Sequence, residues 1–329
     1  MKKYIIFSYD YELFFGKKSG TVLETLIKPT NLLLEGMDKY GFKGNFFVDW
    51  QMLKYLKQEG SKRTLSDYNL IVSQLKEIIK RGHRIELHIH PHWVDAKYNG
   101  DGTWDFSNYY HYSLNSFSQE KILEMFLEGK SLLTSIARTV DPHYDICAFR
   151  AGGWAVQPFD KLKQAYLATG LKIDSSVAYA AYYKCKYSYY DFRKSFLKKM
   201  DFYNFNDDVL KYEKNGLFTE VPISVYKRSI WLKIIDKIYR MYSKKSYPIT
   251  DGTHKRDDLP PAEKNKYSMV SMSRISPLTA FISTLICGHR VITLIDHPKD
   301  YSPSVQQCFR LFSKKYTSLT YKEFVLKTK

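Results

Sequence analysis

At 329 residues and 44% apolar content, the chain is long enough to bury a full core, which argues against disorder. Its formal charge of +17 favours anionic partners such as acidic glycans or lipid head groups. The four cysteines, Cys147, Cys185, Cys287 and Cys308, form no CxxC or CxxH pair, which argues against a thiolate zinc site and a disulfide framework.

The chain opens on a short apolar run at residues 4–7, followed at once by Asp10 and Glu12. That run is shorter than the roughly 7–15 apolar residues of a secretory leader. No later run reaches the roughly 18 residues of a membrane span. The expected location is the cytoplasm, with contact at the inner membrane face as an option. Strand-like runs at 4–9, 45–48, 84–89, 146–149, 171–173, 217–223 and 291–295 alternate with helix-like stretches. That alternation is the pattern of βα units around a parallel sheet or barrel, and at this length one large α/β domain with insertions is as plausible as two. A helix is expected across 68–79, ending at Arg81-Gly82, and another across 122–136, capped from Ser118. A turn-rich loop at 98–116 follows a histidine cluster directly and is a natural wall for a site.

A basic insertion at 227–272 precedes the last strand. It opens on an amphipathic stretch from Ile230 to Met241, with Lys227, Arg228, Lys244 and Lys245 on its flanks, and turns polar at Asp257-Asp258. Packing of the apolar face on the barrel is the favoured expectation, and an interfacial helix on anionic membrane is the alternative.

The sharpest chemical signal is His88-Ile89-His90-Pro91-His92, three of the nine histidines within five positions. Histidine is the commonest metal ligand, and alternate residues of an extended strand share a face. Asp10 and Glu12 are likewise two apart at the end of the first strand. Two histidines with one carboxylate leave a coordination position open for water, and a second carboxylate beside it can serve as general base. The bland alternatives are a histidine-rich surface loop and solvated acidic residues at a strand end.

In these motifs the chain resembles the NodB-type polysaccharide deacetylases (carbohydrate esterase family 4). Residues 82–88, Gly-His-Arg-Ile-Glu-Leu-His, resemble the family's second motif, with His88 and His92 as its HxxxH metal pair. Asp10 resembles the first acidic motif, usually two consecutive aspartates; here Tyr11 intervenes before Glu12. The resemblance implies Asp10 as base and Glu12 as ligand. Phe149-Arg150-Ala151-Gly152-Gly153-Trp154 is similar to the third motif, implying that Arg150 holds the catalytic carboxylate and that Trp154 lines the pocket. Asp296-His297-Pro298 is similar to the closing motif, implying His297 as the acid for the leaving group. Asp174 is the implied orienting partner of that histidine, with Asp296 as the alternative. Tyr11 and Trp93 join Trp154 as candidate sugar-contacting aromatics.

What the resemblance implies is a single α/β domain over 1–329 built as a distorted parallel (β/α) barrel, and a divalent-metal hydrolase, zinc foremost, that removes an N-acetyl or other acyl group from a sugar. The narrower likeness, to deacetylase-like proteins of O-antigen and capsule clusters, implies a nascent and acidic polysaccharide as partner. A same-fold hydrolase of non-sugar amides and an inactive glycan-binding relative are the competing readings. A nucleic-acid binder is disfavoured, because no reader motif accompanies the charge.

Overall fold

The first strand, β1 (Lys3–Tyr11), is buried along its whole length beyond Tyr4 in the computed structural model, which describes residues 3–255 and 265–328. Burial on both faces is what a near-continuous apolar run encodes in a parallel sheet. Around β1 the sheet adds β2 (Gly44–Asp49), β3 (Arg84–Ile89), β4 (Ala148–Ala151), β5 (Ile173–Asp174), β6 (Tyr203–Phe205), β7 (Phe218–Glu220), β8 (Val291–Asp296) and β9 (Tyr316–Ser318). Its spatial order is β6-β7-β5-β4-β3-β2-β1-β8, with β9 also paired to β1. Every pairing is parallel except that of β6 with β7.

The sheet curls until the chain after β7 meets β8: Ser224 donates its backbone N–H to the Thr293 carbonyl at 2.9 Å. The expected α/β architecture, a distorted parallel barrel, is therefore what the chain adopts. All seven expected strands are present, and β6 and β9 are additions.

Helices cover the sheet as the apolar spacing requires. The expected helix at 68–79 is the inner part of the helix Lys62–Lys80, whose N-cap Ser61 accepts from Thr64 N. The helix Gln119–Arg138 starts at Ser118, as expected, with the Ser118 hydroxyl accepting from Lys121 N. Parallel strands joined by right-handed crossovers bring all their C-terminal ends to one side. Residues 10–12, 88–92, 150–154 and 296–300 therefore gather there, although they lie far apart in sequence.

The insertion before β8 carries an antiparallel hairpin-like pair, Val225–Lys227 with Tyr267–Met269, and the helix Ile230–Tyr242. The Asp257-Asp258 stretch lies outside the described residues. The favoured expectation for the helix, apolar face inward, is corrected by the structure. Only Leu232 and Asp236 of this helix are buried, and its isoleucines at 230, 234 and 238 are exposed. No helix among the described residues is long and apolar enough to cross a membrane.

Candidate active site

Alternation along β1 sets one face of the site, because Ser8, Asp10 and Glu12 point the same way. All three are buried, which an isolated carboxylate would not tolerate. Arg150, at the end of β4 and fully buried, supplies the compensation. Its Nη1 donates to Asp10 Oδ1 at 2.6 Å, its Nη2 to Ser8 Oγ at 2.8 Å, and its Nε to the Ser175 carbonyl at 2.7 Å. The guanidinium also lies over the Phe47 ring at 4.3 Å.

His88 ends β3 beside Arg150. Its Nδ1 lies 2.7 Å from the Arg150 carbonyl, and its Nε2 2.9 Å from Glu12 Oε2. His90 Nε2 approaches the same carboxylate oxygen at 2.7 Å. The other oxygen, Oε1, accepts from the buried Lys299 ammonium at 2.6 Å. Ligand atoms of Glu12, His88 and His90 all fall within 4.8 Å of one another.

The structure thus brings His90, rather than the expected His92, to Glu12 and His88. The backbone explains the exchange. His90 is still extended, so it shares a face with His88, whereas Pro91 begins the 3-10 turn Pro91–Asp95. That turn carries the His92 ring into an aromatic nest, stacked on Tyr112 at 5.3 Å and edge-on to Phe15 at 4.3 Å. The close approach of β4 to His90 depends on Gly152: a Cβ there would sit 2.5 Å from the Ile89 carbonyl and 2.8 Å from His90 Nδ1.

The donor set suits a divalent cation. A carbonyl can only accept, so His88 Nδ1 carries a proton and its Nε2 faces Glu12 Oε2. Burial opposes a second proton on the ring, but Asp10 and Glu12 outweigh it and raise the His88 pKa. Lone pair and carboxylate repel unless a proton or a metal lies between them. Backbone fixing of the distal nitrogen is also how metal-ligating histidines are oriented. His90 Nδ1, buried, has no hydrogen-bond partner among the described residues, so its tautomer is not otherwise fixed.

Electrostatics follow from burial and pairing. Burial raises the Asp10 carboxyl, but Arg150, then His88 and His297, outweigh it and hold it below the usual range. Glu12 is likewise pushed up by burial, yet His90, Lys299 and its histidine contacts hold it well below that range. Burial lowers His90 to about 4. Behind them, burial raises Asp49 to about 7, even though it accepts from Trp93 Nε1 at 2.6 Å.

His297, half-buried after β8, faces both carboxylates: its Nε2 is 3.6 Å from Asp10 Oδ2 and 3.7 Å from Glu12 Oε1. Its Nδ1 looks toward Asp300 Oδ2 at 3.6 Å. Neither expected orienting partner fills that position. Asp174 accepts from Tyr166 at 2.6 Å and from Ser176. Asp296 is taken up by the backbone N–H groups of Met272 and Ser273.

Of the candidate sugar-contacting aromatics, Trp154 lines a cavity of about 360 Å³ together with Tyr179, Tyr182, Tyr190, Tyr226 and Tyr267. Tyr11 and Trp93 are corrected to core positions. Tyr11 is fully buried and donates to Gln74 Oε1 at 2.8 Å, and Trp93 is fully buried against Trp104 and Phe106. Sequence reasoning placed His90 in the cluster but took His88 and His92 as the metal pair, and it missed Lys299 and Asp300 altogether. The available signal for the latter pair was two charges directly following the His297-Pro298 motif.

No family model matches the chain, and no curated protein matches it. Its likeness is to solved structures. A 4-alpha-glucanotransferase from Thermococcus litoralis aligns over 99% of this chain and 41% of its own, at 12% identity and a TM-score of 0.54. The fold is shared with part of that enzyme. A protein described as a polysaccharide deacetylase, from Mycobacterium smegmatis, aligns over 99% of this chain and 90% of its own, at 12% identity and TM-score 0.49. The catalytic domain of a peptidoglycan N-acetylglucosamine deacetylase from Eubacterium rectale covers 97% of this chain and 89% of its own, at 15% identity and TM-score 0.40.

Proposed function

We propose that this chain is a metal-dependent hydrolase that removes an acyl group, N-acetyl foremost, from a sugar. The observation that carries the reading is the convergence of Glu12, His88 and His90 beside an Arg150-held Asp10 and a facing His297. Glu12, His88 and His90 would hold a divalent ion, zinc foremost, and when bound it polarises the acyl carbonyl and acidifies the attacking water. Asp10, kept ionised by Arg150, takes the proton from that water. Its Oδ1 is committed to the guanidinium, which leaves Oδ2 to act as base on the side where His297 sits. His297 then protonates the departing amine or alkoxide, with Asp300 behind its Nδ1 to steady the ring. Lys299 neutralises Glu12, so the buried pairs Asp10–Arg150 and Glu12–Lys299 sum to zero charge. We assign the substrate to nascent surface polysaccharide, on the motif resemblance.

Lys299 also favours a second reading. An ammonium at 2.6 Å already compensates the ligand carboxylate, as a metal-free, glycan-binding relative would require. One experiment separates the two: metal analysis of purified protein, followed by acetate release from a panel of acetylated sugars. About one equivalent of zinc, with hydrolysis abolished in Asp10→Asn, is expected. No uptake of zinc, cobalt or nickel would remove the hydrolase reading and leave the binding one.

A further inference from the structure

We propose that the helix Ile230–Tyr242 is an interfacial anchor that docks the protein on an anionic phospholipid bilayer. The inference is independent of the reading of the active site. At 100° per residue, Ile230, Trp231, Ile234, Ile238, Met241 and Tyr242 fall within one arc of about 120°. All six are exposed, Trp231 at 71% and Tyr242 at 84%.

This is the reverse of an ordinary surface helix, which turns its apolar stripe to the core. Lys233, Lys237 and Arg240, also exposed, occupy the adjoining arc, and Lys244 and Lys245 follow directly. An apolar arc bordered by cations is the chemistry that enters the head-group region of an acidic membrane, with tryptophan and tyrosine at its level. The +17 net charge adds long-range attraction of the same sign.

The outward orientation is built in. Ser229 caps the helix by accepting from Leu232 N, and Leu232 is buried beneath it. Asp236, fully buried, accepts from Arg228 Nη2 at 2.9 Å and from Ser276 N at 2.9 Å. These contacts fix the side opposite the apolar arc, so the arc faces outward on a rigid mount. Arg228 also lines the Trp154 cavity, so a docked helix would hold that cavity beside the membrane surface.

The test is co-sedimentation of the full chain with vesicles of equal parts phosphatidylglycerol and phosphatidylcholine, against pure phosphatidylcholine vesicles. Binding to the acidic vesicles is expected, at least about tenfold weaker on neutral ones and weakened by salt. Trp231 is exposed while Trp50, Trp93 and Trp104 are buried, so tryptophan emission should shift to the blue on binding. The double variant Trp231→Ser/Ile238→Ser should lose about tenfold or more, and Lys233→Glu/Lys237→Glu/Arg240→Glu should lose the preference for acidic lipid. Both alter exposed side chains, and unchanged thermal melts would show that the fold survives. Absence of vesicle binding, or equal binding by both variants, would overturn the proposal. So would a concentration-dependent dimer, abolished by the double variant, in a chain that ignores vesicles.

Discussion

Replacing Arg150 by Met tests whether the site is held by one buried cation. The guanidinium is wholly buried and satisfies Asp10, Ser8 and the Ser175 carbonyl, with the Ser175 and Tyr321 hydroxyls at 3.2 and 3.4 Å. Methionine fills much of the stem volume but leaves the Asp10 carboxylate, 4% exposed, without its partner. Breaking one side of a buried pair costs about 3–5 kcal/mol, mostly through the orphaned charge. The Asp10 carboxyl should rise once Arg150 is gone, because burial alone pushes it up. Adding Asp10→Asn removes that charge, so the double variant should recover about 2 kcal/mol of the loss. Urea unfolding followed by far-UV circular dichroism measures both. A single-variant cost below about 1 kcal/mol, or strict additivity in the double, would refute the idea that Arg150 and Asp10 act as a buried unit.

Three further outcomes are expected. His90→Ala should lose bound divalent metal by more than the roughly 10–100-fold typical of changes behind the ligands, whereas His92→Ala should keep it and lose stability only; equilibrium dialysis decides which histidine is the ligand. Gly152→Ala should cost about 1–3 kcal/mol, since its Cβ would meet the Ile89 carbonyl and the His90 ring, and thermal melts report it. His83, whose Nδ1 accepts from Gly44 N, is lowered to about 4 by burial, with Lys43 and Arg81 adding to the effect against Asp38. Its unfolded form binds a proton near 6.5, so its contribution is complete above that pH and lost as pH falls toward 4, by up to about 3 kcal/mol. Because the raised Asp49 works in the opposite direction, the measurement is the difference in pH-dependent stability between native protein and His83→Asn; parallel curves would reject it.

The strands were legible because buried parallel strands are continuous apolar runs, as at Ile5, Ile6 and Phe7 or Ile292 and Leu294. The two of the main sheet that escaped, Tyr203–Phe205 and Tyr316–Ser318, are three residues long and half polar, and only their neighbours make them strands. The histidine cluster was equally plain, but the choice within it turned on backbone direction after Pro91, which spacing alone does not fix. Lys299 and Asp300 were invisible for a different reason. Charges beyond a motif look solvated until a partner such as Glu12 or His254 is seen across the site. Tyr11 misled in the opposite way: its position between two acidic residues suggests the site, yet alternation sends its ring to the core.

The same alternation supports a division of labour between the two carboxylates. Asp10 and Glu12 share a face and nearly the same burial, so burial alone cannot tell base from ligand. Their partners differ in kind. Asp10 is bound through Oδ1 by a guanidinium, which cannot give up its proton, and among the described residues its Oδ2 meets His297, at 3.6 Å. Glu12 turns Oε2 toward two imidazole nitrogens at once, a contact that a ring proton or a metal ion would satisfy, while Lys299 occupies Oε1. A base needs an oxygen open to a moving proton, and a ligand needs an oxygen aimed at other ligands. On that ground we propose Asp10 as the base and Glu12 as the ligand, with the intervening Tyr11 letting both reach the same face.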